Sequence, residues 1–346
     1  MALAKDVPAA DPYRALMAQS IDMHTHIMPP AWEDFAQRYA AEDWPHAIVH
    51  DACSATIMLG ERHFRDVDDR TFVPARRIAD MDRLGIGRQM LSPIPVMFCY
   101  WGDADRTAEL ARAHNAFIGE AVAAFPDRFF GAGTVPMQST PHAIHEIERL
   151  ARDGFRAIEI GTNFNGRDID DPAIVEILEA AASRGLAVFV HPATPAMGED
   201  RMRAYYLPFM VAYPAETSLA IARLIFGGVL DRIPTLRIGF AHGGGSFPSL
   251  LGRLDHGFAV RKETRVNISR PPSSYADRLF FDSLTHDAAA LVGITQRFGS
   301  NRIMLGSDYP FDMGVDDPRA QLTGLPLDAE AIADIDHRTA LTFLNL

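Results

Sequence analysis

The chain repeats one pattern eight times: a short apolar run is followed by a stretch whose apolar residues have helical spacing. Most runs are nearly continuous apolar segments, which is typical of parallel strands that are covered on both faces. Eight alternations of strand and helix predict an α/β fold, a (β/α)8 or TIM barrel, rather than an open sheet. The apolar runs occupy residues 20–27, 88–93, 129–136, 155–162, 186–191, 236–242, 279–286 and 302–308. The helical patterns occupy residues 107–125, 141–152, 171–183, 215–230 and 288–298.

The length of 346 residues allows one large barrel or two ordinary domains, and the regular alternation favours a single barrel domain over residues 1–346. One interval is longer than the rest. We interpret residues 28–80, between the first two runs, as an inserted subdomain over the barrel mouth, where long loops commonly carry function. The residues before Ser20 lack the features of a secretory signal and are interpreted as a short extension. The insertion contains Trp32, Trp44, Arg62, His63 and Arg65.

Charge and cysteine content narrow the classes of partner. The 33 basic residues are outnumbered by 45 acidic ones, and the net charge of −12 has the wrong sign for gripping a nucleic acid backbone. No apolar run approaches the roughly 18 residues of a membrane-spanning helix. Cys53 and Cys99 are too few for a disulfide framework and fit the reduced thiols of a cytoplasmic protein. We therefore expect a cytoplasmic protein that binds neither nucleic acid nor membrane.

Polar side chains that can bind a metal ion end four of the apolar runs. They are His24 and His26 in the first run, His191 in the fifth, His242 in the sixth and Asp308 in the eighth. The C-terminal ends of the strands form the active-site face of a (β/α)8 barrel. Alternate residues of a strand share a face, so His24 and His26 both point into the barrel. Three imidazoles from this set and the carboxylate suit zinc, manganese, iron or cobalt, with an open position for water.

The scarcity of lysine bears on the number of metal ions. Only Lys5 and Lys262 are lysines, and the fourth run contains Glu159 and no lysine. Binuclear barrel hydrolases commonly bridge two metal ions with a carbamylated lysine at the end of strand 4. Because this chain has no lysine there, the sequence predicts a mononuclear site.

His242 begins a run of three glycines, which let the backbone adopt positive φ angles around a crowded site. A flexible connection is the plainer interpretation of this run. We favour His242 as an imidazole that takes a proton from metal-bound water. Arg65 and Arg253 are candidates for bidentate binding of a substrate carboxylate, although most of the 31 arginines are expected on the surface.

Seven sequence blocks between residues 21 and 314 occur in the order of one known family. They are IDMHTHIMPPAW, SPIPVMFCYW, GAGTVPMQ, VFVHP, YPAETSLAIARLIFGGVLDRIPTLRIGFAHGGGSFP, GRLDHGF and LGSDYPF. Together they resemble the 2-amino-3-carboxymuconate-6-semialdehyde decarboxylase branch of the amidohydrolase superfamily. The resemblance implies a metal-dependent, non-oxidative decarboxylase that has no organic cofactor and is usually a dimer.

The resemblance also implies roles for individual residues. His24, His26, His191 and Asp308 would bind the metal, and His242 would activate the metal-bound water. Arg65 would bind the substrate carboxylate, and Arg253 would reach the site across a dimer interface. One divalent ion is implied, with zinc as the first candidate and manganese as the alternative. Phe311, in the block LGSDYPF, completes the predicted substrate-binding set.

The chain departs from the family pattern around the substrate. The family reads His-Pro-Trp-Asp where this chain reads His191-Pro192-Ala193-Thr194, and a later family tryptophan aligns with Tyr205. A lysine of some members is replaced by Leu59. We therefore expect conserved metal chemistry in a reshaped substrate pocket.

The leading functional hypothesis is decarboxylation of a small unsaturated or aromatic carboxylic acid. In it, the metal acts as a Lewis acid, while His242 and Asp308 manage the proton that replaces CO2. A hydrolase or hydratase on the same mononuclear site is the alternative, because both reactions need the same ligands. A catalytically silent, metal-binding barrel is a third hypothesis.

Overall fold

The computed structural model describes residues 20–30, 43–193 and 199–346. The predicted N-terminal extension, Trp32 and Thr194 lie outside the described residues. In chain order, the strands are β1 (Ser20–Ile27), β2 (Pro45–Val49), β3 (Ser54–Leu59), β4 (Arg62–Asp68), β5 (Ile86–Pro93), β6 (Phe129–Gly133), β7 (Ala157–Ile160), β8 (Asn163–Phe164), β9 (Arg167–Asp168), β10 (Ala187–Val190), β11 (Ile238–Phe240), β12 (Leu279–Asp282) and β13 (Ile303–Met304). The α-helices are α1 (Pro74–Leu84), α2 (Ala104–Ala124), α3 (Thr140–Arg152), α4 (Pro172–Ser183), α5 (Glu199–Met202), α6 (Tyr213–Phe226), α7 (Val229–Arg232), α8 (Phe247–Val260), α9 (Ala288–Phe298), α10 (Ala329–Ala333) and α11 (Thr339–Leu344).

Eight parallel strands form the central sheet in the order β1-β5-β6-β7-β10-β11-β12-β13. The segment after β13 closes this sheet against β1. Met23 N donates to the carbonyl oxygen of Leu305 at 2.8 Å, and Asp308 N donates to that of His24 at 2.8 Å. The predicted (β/α)8 barrel is therefore confirmed.

The last strands are shorter than their apolar runs. The seventh run was predicted to reach residue 286, but β12 ends at Asp282, and β13 covers only the start of the eighth run. The backbone leaves the ladder after β12 because the Asp282 side chain accepts a hydrogen bond from Leu284 N at 3.1 Å. These strand ends therefore become loops that carry polar side chains at the barrel mouth.

The five predicted helical patterns all form helices, with one interruption. The pattern over 215–230 is divided into α6 and α7 at Gly227 and Gly228. Gly228 has φ 74°, and a Cβ there would lie 2.8 Å from the carbonyl oxygen of Asn267. This positive φ ends the helical path, and it would be strained for any residue except glycine.

The predicted insertion contains an antiparallel sheet of β2, β3 and β4. Its buried face packs Ala55 and Ile57 against Ile94 and Met97, which follow β5 at the barrel mouth. Helix α1 begins at Pro74, still within residues 28–80, and leads into β5. This packing places the strand β4 beside the site.

Among the described residues, the helical stretch Pro208–Phe226 is long and apolar enough to cross a membrane by length and composition. It joins a π-helical turn, Pro208–Ala212, to α6, and 44% of the tested window is buried in the fold. Core helices of soluble proteins pass the same test, so this single stretch is weak evidence for a membrane span.

Candidate active site

Four predicted metal-binding residues converge at the C-terminal ends of the barrel strands. His24 and His26 lie in β1, His191 directly follows β10, and Asp308 follows β13. All four are buried, and one ligand atom from each lies within 4.8 Å of the others. The sequence pattern of strand-end residues thus becomes one compact cluster.

The distances within this cluster fit one shared ion. His26 Nε2 lies 3.2 Å from His24 Nε2 and 3.0 Å from Asp308 Oδ1, and His24 Nε2 lies 3.4 Å from the same oxygen. A tetrahedral ion with donor atoms at about 2.1 Å places neighbouring donors about 3.4 Å apart. Two imidazole nitrogens and a carboxylate oxygen at such separations form a candidate site for one divalent metal.

Outer hydrogen bonds fix the three rings so that Nε2 faces the cluster. A ring that donates its Nδ1 proton keeps a lone pair on Nε2, which is the atom that can bind a metal. Among the described residues, His191 Nε2 is buried and has no hydrogen-bond partner, as expected of an atom reserved for a ligand. The Nδ1 atoms lie close to Asp282 Oδ2 for His24 (2.6 Å), to the Pro93 carbonyl for His26 (2.9 Å) and to the Pro192 carbonyl for His191 (2.6 Å).

The electrostatics of the cluster favour the metal-binding forms of His191 and Asp308. Burial lowers the pKa of His191 well below its ordinary value, and neighbouring His242 and His24 lower it further, so the ring is neutral. Burial alone would raise the pKa of Asp308. The charge of His24 and the nearby rings of His242 and His26 instead hold the Asp308 pKa well below its usual range. A neutral imidazole and an ionised carboxylate are the forms that bind metal ions.

His242 stands beside the cluster on a strained turn. Its φ is 57°, in the left-handed region, and its Nε2 lies 3.7 Å from Asp308 Oδ2. The turn is held by Asp282, which accepts hydrogen bonds from His242 N at 2.9 Å and Gly243 N at 2.8 Å. A positive φ in a non-glycine residue is uncommon and concentrates at functional sites. His242 Nδ1 is buried and has no hydrogen-bond partner in the described part of the chain.

A cavity of about 960 Å³ opens onto the cluster. Its lining includes His26, His191, His242 and Asp308 together with Arg65, Phe311 and Leu59. Most other lining side chains are apolar. The cavity is thus large enough for a small organic acid, and it combines the candidate metal site with three arginines, Arg62, Arg65 and Arg297.

Arg65, on β4, points its guanidinium towards this cavity. Its Nη1 donates to Asp312 Oδ1 at 2.6 Å, and its Nη2 donates to the phenol oxygen of Tyr206 at 2.7 Å. The guanidinium carbon lies 4.8 Å from the centre of the Phe311 ring, which is 5.6 Å from the centre of the His26 ring. The structure therefore places the predicted Arg65 and Phe311 beside the cluster of candidate metal ligands.

Arg253 does not join this group within its own chain. It lies on α8, is exposed, and is absent from the cavity lining among the described residues. Tyr205 is also 85% exposed, and its neighbour Tyr206 makes the contact with Arg65. The family tryptophan aligns with Tyr205, but it is the neighbouring Tyr206 that reaches the site.

Glu159 lies in β7, the fourth strand of the barrel, where the sequence has no lysine. It is fully buried in β7, and its Oε1 lies 3.8 Å from His26 Nδ1. Burial raises the pKa of Glu159 to about 7. Glu159 is not a member of the ligand cluster, in agreement with one metal rather than a bridged pair.

The sequence profile of the amidohydrolase family matches residues 21–346. The chain therefore belongs to the amidohydrolase family. The 2-amino-3-carboxymuconate-6-semialdehyde decarboxylase of Dictyostelium discoideum is 40% identical over 296 residues, which cover 85% of this chain and 82% of that protein. The resemblance drawn from the sequence blocks is confirmed.

Solved structures of two 5-carboxyvanillate decarboxylases have the same architecture. The enzyme from Sphingomonas paucimobilis superposes with a TM-score of 0.79 at 26% identity, over 95% of this chain and 99% of that one. The enzyme from Novosphingobium aromaticivorans, in complex with manganese and 4-hydroxy-3-methoxy-5-nitrobenzoic acid, superposes with a TM-score of 0.74 at 29% identity. That match covers 80% of this chain and 82% of the other.

Proposed function

We propose that this chain is a carboxy-lyase, a metal-dependent and non-oxidative decarboxylase of a small unsaturated or aromatic carboxylic acid. The observation that carries the proposal is the cluster of His24, His26, His191 and Asp308 at the floor of a cavity that also holds Arg65. Relatives across the family are decarboxylases of such acids by name, which supports the same reaction class.

The four clustered residues would hold one divalent ion. Zinc is the first candidate, and manganese is the alternative. Both metals accept nitrogen and oxygen ligands of this kind. A manganese-containing relative supports the alternative. When bound, the ion supplies Lewis-acid polarisation of a substrate oxygen or a water molecule.

The chain's own side chains bind the acid and move the proton. Arg65 binds a carboxylate of the substrate, and the Phe311 ring beneath the guanidinium lies against its carbon skeleton. His242 carries the proton at Nε2, and the Asp308 carboxylate 3.7 Å away stabilises the protonated ring. As CO2 leaves, the bond to the carboxyl carbon breaks, the remaining carbon keeps the electron pair, and His242 supplies the proton that replaces CO2.

A hydrolase or hydratase on the same cluster is the second candidate, since His242 could equally activate a water molecule. The names of the relatives favour decarboxylation.

We further propose a cytoplasmic homodimer in which Arg253 completes the neighbouring site. Arg253 is exposed on α8 and outside its own cavity, which fits a role in a partner subunit. The exposed apolar side chains Met210, Val211 and Leu250 lie on the segments before α6 and on α8, a surface suited to a second copy. Free Cys53 and Cys99 support a reducing compartment.

The test is metal analysis of the purified protein, combined with a CO2-release screen over muconate semialdehydes and hydroxybenzoates. The proposal predicts CO2 release by the metal-loaded protein and its loss with a chelator. Release of a hydrolysis product without CO2 would favour the second candidate, and a metal-loaded protein that is inactive on every acid would favour a silent barrel.

A further inference from the structure

The arginine assigned to the substrate already has an anionic partner. Arg65 Nη1 donates to Asp312 Oδ1 at 2.6 Å, and its Nη2 donates to the Tyr206 phenol oxygen at 2.7 Å. A guanidinium has five N–H donors in a planar fork, and contacts with described residues use two of them here. A carboxylate that arrives from the cavity must therefore share Arg65 with Asp312 or replace it.

The two ends of this ion pair differ in their surroundings. The Arg65 side chain is only 19% exposed, whereas that of Asp312 is 71% exposed. Asp312 keeps most of its contact with water and forms no other ion pair among the described residues. An exposed carboxylate recovers its hydration when it is released, so Asp312 can leave Arg65 at small cost.

Asp312 is positioned so that a substrate carboxylate can take its place on Arg65. Asp312 follows Phe311, whose ring lies between Arg65 and His26, at 4.8 Å from the guanidinium carbon and 5.6 Å from the imidazole centre. An acid held at the cluster of candidate metal ligands would thus extend along Phe311 towards the same guanidinium. Only an acid with a second carboxylate offers Arg65 a charge-assisted hydrogen bond to replace the one from Asp312.

We propose that Asp312 is a specificity-determining residue that competes with the second carboxylate of a dicarboxylic acid for Arg65. The proposal rests on the proposed role of Arg65 in substrate binding. Asp312 neutralises the guanidinium in the resting site, weakens the binding of dicarboxylic acids, and returns to Arg65 when they leave. Its effect falls on the ratio of affinities for dicarboxylic and monocarboxylic acids.

The test uses isophthalate, a dicarboxylate, and benzoate, a monocarboxylate, as probes of the metal-loaded protein in calorimetric titrations. Asp312→Asn should increase the ratio of isophthalate to benzoate affinity about 3- to 10-fold, because it removes the competing charge and keeps the side-chain shape. Asp312→Ala should give an increase in the same direction. The matched control is Asp316→Asn, which removes an exposed charge from the same loop without touching Arg65 and should leave the ratio unchanged.

The outcomes separate this inference from the proposed function. An unchanged ratio in both Asp312 variants would overturn the inference. A decreased ratio would also overturn it, because it would show that Asp312 holds Arg65 in place for the ligand. If Arg65→Gln removes the preference for isophthalate while Asp312→Asn has no effect, the carboxylate role of Arg65 stands and only the competition is wrong. Failure of CO2 release leaves these binding measurements intact and counts against the decarboxylase proposal alone.

Discussion

At the scale of single residues, Asp282 connects the cluster of candidate metal ligands to the loop that carries His242. Its Oδ2 lies 2.6 Å from His24 Nδ1 and accepts a hydrogen bond from His242 N, while its Oδ1 accepts one from Gly243 N. Burial would raise the pKa of Asp282, but the hydrogen bond with His24 and the charge of that ring lower it. The ionised carboxylate therefore fixes both the tautomer of His24 and the entry into the glycine loop.

Replacing Asp282 by asparagine should weaken metal binding about 10- to 100-fold, since partners behind a metal-binding histidine set its orientation and basicity. Competition with a chromogenic chelator measures this affinity. Asp277→Asn, an exposed aspartate before β12, is the control for loss of charge. Wild-type metal affinity in Asp282→Asn would contradict the assigned role.

His242→Ala should keep its metal and lose activity by about 100-fold or more, because the proposed role of His242 is to move a proton. Metal content and CO2 release are measured on the same sample. The exposed His145→Ala variant should match the wild type in both. Parallel loss of metal and activity would instead place His242 among the ligands.

Some site residues could be predicted from the sequence, and others are recognised only from tertiary contacts. His24, His26, His191 and Asp308 each end an apolar run, so fold class and position were sufficient to bring them together. Asp282 also ends a strand, but its partner His24 is 258 residues away, and only the closed barrel shows the contact. The ion pair of Arg65 with a residue 247 positions away is likewise a tertiary contact without a local sequence pattern.

At the scale of elements, the glycine loop after β11 lets the barrel carry a strained histidine. Gly243, Gly244 and Gly245 all have positive φ angles, between 60° and 76°. A Cβ on Gly245 would lie 2.3 Å from the carbonyl oxygen of Pro214. The fold therefore requires the positive φ angles that the three glycines predicted for this loop.

Gly245→Ala should destabilise the protein by about 2 to 4 kcal/mol, because it combines a left-handed backbone with a clash against main-chain atoms. Gly257→Ala, in α8, has open space around the added Cβ and should stabilise by about 0.5 to 1 kcal/mol. Urea denaturation gives both free energies of unfolding. Equal stability of the two variants would show that the loop relaxes without strain.

Elements were predicted best where one pattern dominates. The parallel strands are covered on both faces, so continuous apolar runs marked them reliably. Helix α8 was not predicted because Pro248, Gly252 and Gly257 weaken its helical pattern, although a proline is well accommodated in the first turn. The antiparallel sheet of the insertion was also missed, because long loops carry few signals of their own.

At the scale of the whole molecule, each active site of the proposed dimer contains residues from both chains. The variants Arg253→Ala and His191→Ala should each be inactive on their own. The first keeps all four metal-binding residues, and the second keeps Arg253. Mixed and reassociated, they should form heterodimers with up to one working site in two. The site built by the Arg253→Ala chain would receive Arg253 from its partner.

Complementation is measured as CO2 release from heterodimers that are verified by differential tagging. Loss of a charge-assisted pair with the substrate costs about 2 to 5 kcal/mol, so Arg253→Ala alone should lose at least about 30-fold in kcat/KM. Heterodimers that recover no activity would confine Arg253 to its own subunit, and near-normal activity of Arg253→Ala would remove it from the site.

The central claim is that one metal ion, bound by His24, His26, His191 and Asp308, supports decarboxylation. Its most direct test is the rate of CO2 release while zinc or manganese is added stepwise to chelator-stripped protein. The account predicts no release without metal and a rate that rises in proportion to bound ion until it levels off at one ion per chain. Full activity of the metal-free protein, or a plateau at two ions per chain, would contradict it.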